Sequence, residues 1–144
     1  MKRAGMINTG QLTRDVYGSN NVYLVGFGSY SGKVIAGDAW GAPMEIMDVP
    51  PAKDNSIENA LHDMVAGNGY FIFDEETDEL FDQRIGHRAI GVVYHPEQER
   101  YGNYIPTTMN RRYDAFIFID ETQALHALHL QADKQIPETY PFGV

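Results

Sequence analysis

The stretch Arg88-Ala89-Ile90-Gly91-Val92-Val93-Tyr94-His95-Pro96 decides the fold class, because an apolar run ends abruptly in ionisable residues. Ala89 to Tyr94 has the length and the Val and Ile content of a strand buried on both faces. Pro96 has no backbone N–H with which to continue a strand ladder, so the strand is predicted to end near His95. A strand buried on both faces is typical of a sheet covered by helices, which favours an α/β fold.

The polar residues after this strand form the first candidate site. Open α/β folds bind ligands in loops beyond the strand ends. The loop here contains acids, a cation, an amide and two phenols, namely Glu97, Glu99, Arg100, Tyr101, Asn103 and Tyr104. The residues predicted to contact substrate are Tyr94, His95, Glu97, Glu99 and Arg100. A solvated loop with an ordinary ion pair is the alternative.

The composition indicates one domain around one core. The chain has 144 residues, of which 43% are hydrophobic and 12% aromatic, and this is enough for one sizeable core. We expect a single α/β domain over residues 1–131. Residues 132–144 contain two prolines and a glycine and are expected to form a loose C-terminal tail.

Charge and cysteine content narrow the partners and the compartment. A formal net charge of -9 argues against a nucleic acid or an anionic membrane surface as partner. No apolar run approaches the length of a membrane span, and Met1 to Gly5 lacks the apolar core of a secretory signal. The absence of cysteine excludes disulfides, thiolate metal sites and a cysteine nucleophile. We therefore expect a cytoplasmic protein whose chemistry depends on a hydroxyl, a carboxylate or an imidazole.

Capping patterns and periodicity predict alternating helices and strands. Asn8 with Gln11 and Asn55 with Glu58 have the spacing of a capping box, which predicts helices over residues 9–17 and 57–66. A helix or turn is predicted over residues 74–83, a helix over 121–130, and strands over 21–27, 33–37, 44–49, 70–73, 89–94 and 113–119. This order favours an α/β fold with a mostly parallel or mixed sheet flanked by helices.

Glycines separate the first two predicted strands. The pattern Gly26-x-Gly28-x-x-x-Gly32 is one residue too long for the dinucleotide-binding fingerprint. The segment after it, Lys33 to Gly37, resembles a strand where that fingerprint requires a helix. These glycines are therefore predicted to form the turn of a β-hairpin near residues 21–37, and not a phosphate-binding loop.

Other familiar site patterns are absent or incomplete. No Gly-x-Ser-x-Gly motif occurs, which argues against a serine hydrolase of the α/β-hydrolase type. The acidic run from Asp74 to Asp82 has Glu79 where an EF-hand calcium loop needs glycine. His126 and His129 lie one helical turn apart without a carboxylate at zinc-motif spacing. We therefore expect neither a metal nor a cofactor.

One histidine has the setting of a general base. His62 lies on the helix predicted to begin at Ile57, one turn after Glu58, so that this carboxylate could orient the imidazole and raise its basicity. Both His62 and Glu58 are predicted to contact substrate. A helix-surface histidine with a weak partner is the alternative.

A series of segments occurs in the same order as in a known family. These segments are Gly5–Leu12, Val25–Ala36, Trp40–Gly41, Ser56–Glu58, Arg88–Tyr94, Pro96–Arg100, Tyr113–Phe116 and Asp120–Thr122. Together they resemble the erythromycin esterase-like family, which has relatives named for succinoglycan biosynthesis. The resemblance covers the chain from about Gly5 to Leu128.

The resemblance implies a hydrolase that opens a macrolide lactone or cleaves a related ester, with antibiotic resistance as the associated role. It implies water activated by histidine, supported by glutamate and arginine, and no covalent serine intermediate. In the family the catalytic histidines and glutamate lie upstream of the segment that matches Gly5–Leu12. The chain is therefore expected to be the C-terminal portion of such an enzyme without its catalytic base, and its own catalytic residues stay unknown. Gly102-Asn103-Tyr104 also departs from the Ser-His-Tyr of relatives.

The expected ligand is thus a small-molecule ester or lactone. The apolar strands around Val22, Ile90 and Phe116 look buried on both faces, so an incomplete sheet would leave an edge that invites another chain. We expect a homo-oligomer or a complementing N-terminal half. The alternative function is a non-enzymatic module that binds a small molecule or docks onto a partner.

Overall fold

The computed structural model describes residues 7–74 and 79–125 of the chain. The strands are β1 (Val25–Ala36), β2 (Glu45–Val49), β3 (Gly69–Ile72), β4 (Ile85–Arg88), β5 (Tyr104–Thr107) and β6 (Ala115–Thr122). The helices are α1 (Thr9–Tyr17), α2 (Ile57–Met64), α3 (Glu79–Asp82), α4 (Glu99–Gly102) and α5 (Met109–Arg112). None of these helices has the length and apolar character needed to cross a lipid bilayer.

The strands form a mixed sheet and a smaller antiparallel one. The larger sheet has the order β2-β1-β6-β3, in which β1 is parallel to β6 and the two edge strands are antiparallel to their neighbours. The smaller sheet pairs β4 with β5. The predicted α/β class with a mixed sheet is confirmed.

The two longest helices begin at polar caps. The side chain of Asn8 accepts a hydrogen bond from the N–H of Gln11 at 2.8 Å, and α1 ends at Gly18, which has φ +82°. The predicted helix over residues 9–17 is therefore confirmed. The start of α2 is also confirmed, but Ser56 caps it by accepting from Asn59 N–H at 3.2 Å. Asn55 lies before the cap with φ 61°, a conformation that Asn tolerates in turns, so its predicted capping role is wrong.

Strand β1 replaces the predicted hairpin near residues 21–37. Residues 25–36 form one continuous strand, so the glycines do not form a turn. Gly28 instead leaves space for the Phe116 side chain of β6, because a Cβ on Gly28 would lie 2.6 Å from Cζ of Phe116. The antiparallel partner of β1 is β2, which pairs with Gly32–Ala36, so the hairpin in the structure spans residues 32–49.

The predicted strand over residues 89–94 is also wrong. Strand β4 ends at Arg88. In place of a strand ladder, the residues after it form an isolated bridge with Gly37, whose N–H donates to Val92 O and whose O accepts from Tyr94 N–H. Val92 is 55% exposed, so the run is not buried on both faces. The run packs through side chains such as Ile90, which contacts the buried cluster of Ala36, Val49 and Tyr94.

Three of the other predicted strands agree with the structure near their centres. Strands β2 and β3 lie within one residue of their predicted bounds, and β6 starts two residues later than predicted and continues to Thr122. The helix predicted from Glu121 is wrong at its start, because Glu121 is still in β6. Residues 126–130 of that helix, with His126 and His129, and the predicted tail over residues 132–144 lie outside the described residues.

The main core lies between α2 and one face of the larger sheet. Its buried residues are Ile57, Leu61, Phe81, Met109, Phe116 and Phe118. Side chains alternate along a strand, so the residues next to these point to the opposite face. We call that face, formed by Val25, Phe27, Tyr70 and Ile72 with Ile117 between them, the open sheet face. Its members Phe27 and Tyr70 are 62% and 76% exposed, so the expected burial of the strands on both faces is not seen within the described residues.

Candidate functional site

The residues predicted to contact substrate fall in three separate places. His62 lies at the end of α2 beside β6, Glu58 lies at the start of α2 beside β4, and the rest belong to the segment between β4 and β5. The structure therefore does not bring the predicted set together around one cleft.

His62 forms a pair with Asp120 that sequence reasoning missed. Nδ1 of His62 lies 2.5 Å from Oδ1 of Asp120, and the imidazole stacks on the Tyr30 ring with centroids 3.7 Å apart. The His62 and Asp120 side chains are 38% and 30% exposed. A carboxylate at Nδ1 makes that nitrogen the donor in the neutral ring and leaves Nε2 as the acceptor. The pair can therefore accept a proton at Nε2 at the carboxyl end of β6, where open α/β sheets bind ligands.

Glu58 does not orient His62, which corrects the predicted pairing. Its Oε1 lies 2.6 Å from Nδ1 of His87 and accepts the backbone N–H of Arg88 at 3.0 Å. The Nε2 of His87 lies 3.4 Å from the Tyr113 hydroxyl, so both ring nitrogens have partners in the interior. Helical spacing alone placed Glu58 near His62, but the start of α2 packs beside β4 while its end packs beside β6.

Arg88 is the centre of a buried polar network. Arg88 is only 5% exposed. Its Nη2 lies 2.9 Å from Oε1 of Glu99, and its Nε donates to the Tyr104 hydroxyl at 3.0 Å. The other guanidinium donors reach main-chain carbonyls of Ser29, Tyr30 and Pro50. One cation thus joins β1, the end of β2 and the segment between β4 and β5.

Tyr94 and Glu99 belong to the same network. The Tyr94 hydroxyl donates to Oε2 of Glu99, and the Tyr104 hydroxyl donates to Oε1 at 3.0 Å. Burial raises the pKa of Tyr94 above its ordinary value, with the hydrogen bond to Glu99 as the next cause, and burial likewise raises the pKa of Tyr104. Both phenols therefore stay protonated donors. Tyr94 and Glu99 are each 1% exposed, and their contact with substrate stays a prediction.

The other predicted contacts lie on the surface. His95, Glu97 and Arg100 are exposed. His95 borders a shallow cavity of about 500 Å³ that Tyr101 and Asn103 also line. Their role in substrate binding stays a prediction as well.

No metal site is evident in the described part of the chain. Among residues 7–74 and 79–125, no group of three or more His, Asp or Glu side chains is arranged to hold a metal ion. The chemistry available there consists of imidazole, carboxylate, phenol and guanidinium groups.

Comparisons with known proteins agree with the fold. The family model described as erythromycin esterase matches residues 1–122. A crystal structure of a succinoglycan biosynthesis protein matches with a TM-score of 0.66 and 14% identity over 81% of this chain. A crystal structure of a protein from Bacillus cereus matches with a TM-score of 0.61 and 12% identity over 79% of this chain. At these identities the two likenesses show the fold alone, and the chain spans 28% of the length of each.

Proposed function

This chain belongs to the erythromycin esterase family, and we propose that it is the C-terminal portion of a hydrolase that cleaves a macrolide lactone or a related ester by attack of water. In this proposal the chain provides substrate contacts and structural support. The base that accepts the proton of the attacking water comes from the remaining portion of the enzyme.

The open sheet face is the observation that supports this proposal most directly. The two central strands, β1 and β6, run parallel, and sheets built of parallel strands are normally covered on both faces. Here α2 covers one face, while Phe27, Tyr70 and Ile72 of the other are 62%, 76% and 60% exposed. A contiguous apolar surface of this kind marks an interaction site.

We assign the remaining portion of a family hydrolase as the occupant of the open sheet face. The chain spans only 28% of the length of the two solved structures compared above, so those proteins have other segments available to cover the sheet. Covering segments would need an apolar surface, because the exposed side chains of the open sheet face are aliphatic or aromatic.

Two of the described histidines, His87 and His95, are poorly placed to act as this base. Ester hydrolysis at neutral pH needs a base within hydrogen-bond reach of the attacking water and donors for the oxyanion. His87 is 4% exposed and has partners at both ring nitrogens, and His95 lies exposed beside a shallow cavity. Neither residue combines an available nitrogen with an enclosed site.

Accessibility separates the proposed substrate contacts into two kinds. The solvent-accessible ones, which we propose to face the substrate directly, are His62, His95, Glu97 and Arg100. The buried ones, which we propose to hold the neighbouring loops in place, are Glu58, Tyr94 and Glu99.

A second candidate function follows from the His62–Asp120 pair. A histidine oriented by a carboxylate, with Nε2 left as acceptor, is an arrangement that can take a proton from water. In this candidate the chain hydrolyses simple esters by itself, and His62 is the general base.

Hydrolysis assays distinguish the two candidates. The first proposal expects no turnover of erythromycin or p-nitrophenyl acetate by this chain alone, and turnover after mixing with a separately produced N-terminal portion of a family hydrolase. Turnover by the chain alone that His62→Ala or His95→Ala abolishes would overturn it. Loss with His62→Ala only would establish the second candidate.

Sedimentation analysis tests the occupant of the open sheet face. The mixture should contain a complex that Phe27→Asp prevents, because a buried charge without a partner opposes docking. Tyr101→Asp is the matched control, since Tyr101 is 92% exposed on α4. A homodimer of the chain alone that Phe27→Asp dissociates would mean that a second copy occupies the face, which contradicts the assignment.

A further inference from the structure

A cavity of about 580 Å³ lies on a side of the molecule where no site residue was predicted. Its walls come from α1, the residue before β4, the end of β5 and α5. Four arginines line it, namely Arg14, Arg84, Arg111 and Arg112. The whole chain has 11 Lys and Arg residues and a net charge of -9, so four of its 11 basic residues line this one cavity of an acidic protein.

Nearby carboxylates compensate only part of this positive charge. Arg14 is paired with Asp114 at 2.7 Å. Arg111 lies 3.5 Å from Asp82, but their side chains are 77% and 59% exposed, and such surface pairs are weak. Asp15 is the acidic residue among those that line the cavity.

The other two arginines have no carboxylate partner among the described residues. Arg84 is exposed at the cavity wall. Arg112 is held in place, since its Nη1 donates to Thr107 Oγ1 at 3.2 Å and its guanidinium lies 5.2 Å from the centroid of the Tyr113 ring. Arg112 is therefore oriented before any ligand arrives, which reduces the entropy lost on binding.

From this arrangement we propose that the cavity binds the oxyanion group of a small molecule, either a phosphate or a carboxylate. Guanidinium groups match both anions, because they donate two parallel hydrogen bonds. The cavity volume falls within the range of roughly 300–1,000 Å³ that is typical of small-molecule sites. Thr108, which also lines the cavity, offers a further donor hydroxyl. The proposal does not depend on the hydrolase assignment, because no residue of the proposed ester site lines this cavity.

Calorimetric titration of the full chain with inorganic phosphate, and separately with succinate, tests the proposal. The ionic strength is held constant with chloride, because screening alone changes weak electrostatic binding. We expect saturable binding of at least one probe, and the stronger probe identifies the anion class. Arg84→Gln/Arg111→Gln should weaken that binding by at least about tenfold, as expected for the loss of charge-assisted hydrogen bonds.

Lys33→Gln/Lys53→Gln is the matched control. It removes the same charge from two exposed positions outside the cavity and should leave the affinity unchanged. Circular dichroism confirms that both double variants fold. Failure of both probes to saturate, or an equal loss of affinity in the control, would overturn the proposal.

Discussion

Oε1 of Glu58 lies 2.6 Å from Nδ1 of His87, and the two side chains are 0% and 5% exposed. The same oxygen accepts the backbone N–H of Arg88, so one carboxylate ties α2 to β4. It also lies next to β1, where a Cβ on Gly28 would approach it to 3.2 Å. The helix that covers the sheet is thus held by a polar contact as well as by its apolar side chains.

Glu58→Gln should destabilise the fold by about 2 kcal/mol, because a neutral amide oxygen accepts more weakly than a carboxylate, and the amide nitrogen would take the buried position of Oε2, which has no hydrogen-bond partner. Urea unfolding followed by circular dichroism measures the loss. Glu45→Gln, at an exposed position of β2, is the control. Equal stability of the two variants would mean that the buried carboxylate contributes little.

Glu99→Gln should lower the free energy of unfolding by about 3–5 kcal/mol, more than Glu58→Gln does. The reason is that it leaves the Arg88 guanidinium buried without its opposite charge. Glu97→Gln is the control, because Glu97 lies two residues away and is exposed. It should change the free energy of unfolding by less than about 0.5 kcal/mol. The same urea experiment compares the pair. A small loss with Glu99→Gln would show that solvent reaches Arg88.

Gly32→Ala should lower the melting temperature, because Gly32 has φ +125° and a Cβ there would overlap the main-chain oxygen of Thr122. Gly102→Ala is the control, and its expected effect on stability is opposite to that of Gly32→Ala. Gly102 lies in α4 with no atom within 4 Å of the added Cβ, so alanine should stabilise the fold by about 0.5–1 kcal/mol. Scanning calorimetry measures both, and an unchanged melting temperature for Gly32→Ala would contradict the continuous path of β1 beside β6.

The stability of the fold should decline in alkali. Burial raises the pKa of Tyr94, so above the unfolded value of about 10 the unfolded chain loses this proton while the folded chain retains it. The stability that this phenol provides is complete below about pH 10 and falls above it, by up to about 1.4 kcal/mol per pH unit. Tyr104 and Tyr113 act in the same direction, because burial raises the pKa of each.

Urea unfolding at about pH 9 and about pH 11 measures this dependence, which is expected above the ordinary tyrosine pKa. Tyr94→Phe should reduce the loss between the two conditions without abolishing it. Tyr101→Phe should not alter it, since Tyr101 is 92% exposed. The proposed cause would be refuted if both variants behaved like the original chain.

Features that depend on neighbouring residues were predictable from the sequence. The capping of α1 by Asn8 involves residues three positions apart, and Pro50 ends β2 because it has no N–H, so both elements have their predicted bounds to within a residue. The alternation of such elements was enough to predict a mixed α/β fold.

The partners of individual side chains were decided only by the tertiary structure. The local sequence predicts Gly28 to be a turn residue. The parallel register of β1 and β6 instead places Phe116, which is far along the chain, against it. In the same way Glu58 pairs with His87, and Asp120 pairs with His62, because β4 and β6 pack against different ends of α2. Local spacing limits which residues share a helix face, but strand register and packing between distant segments decide which of them meet.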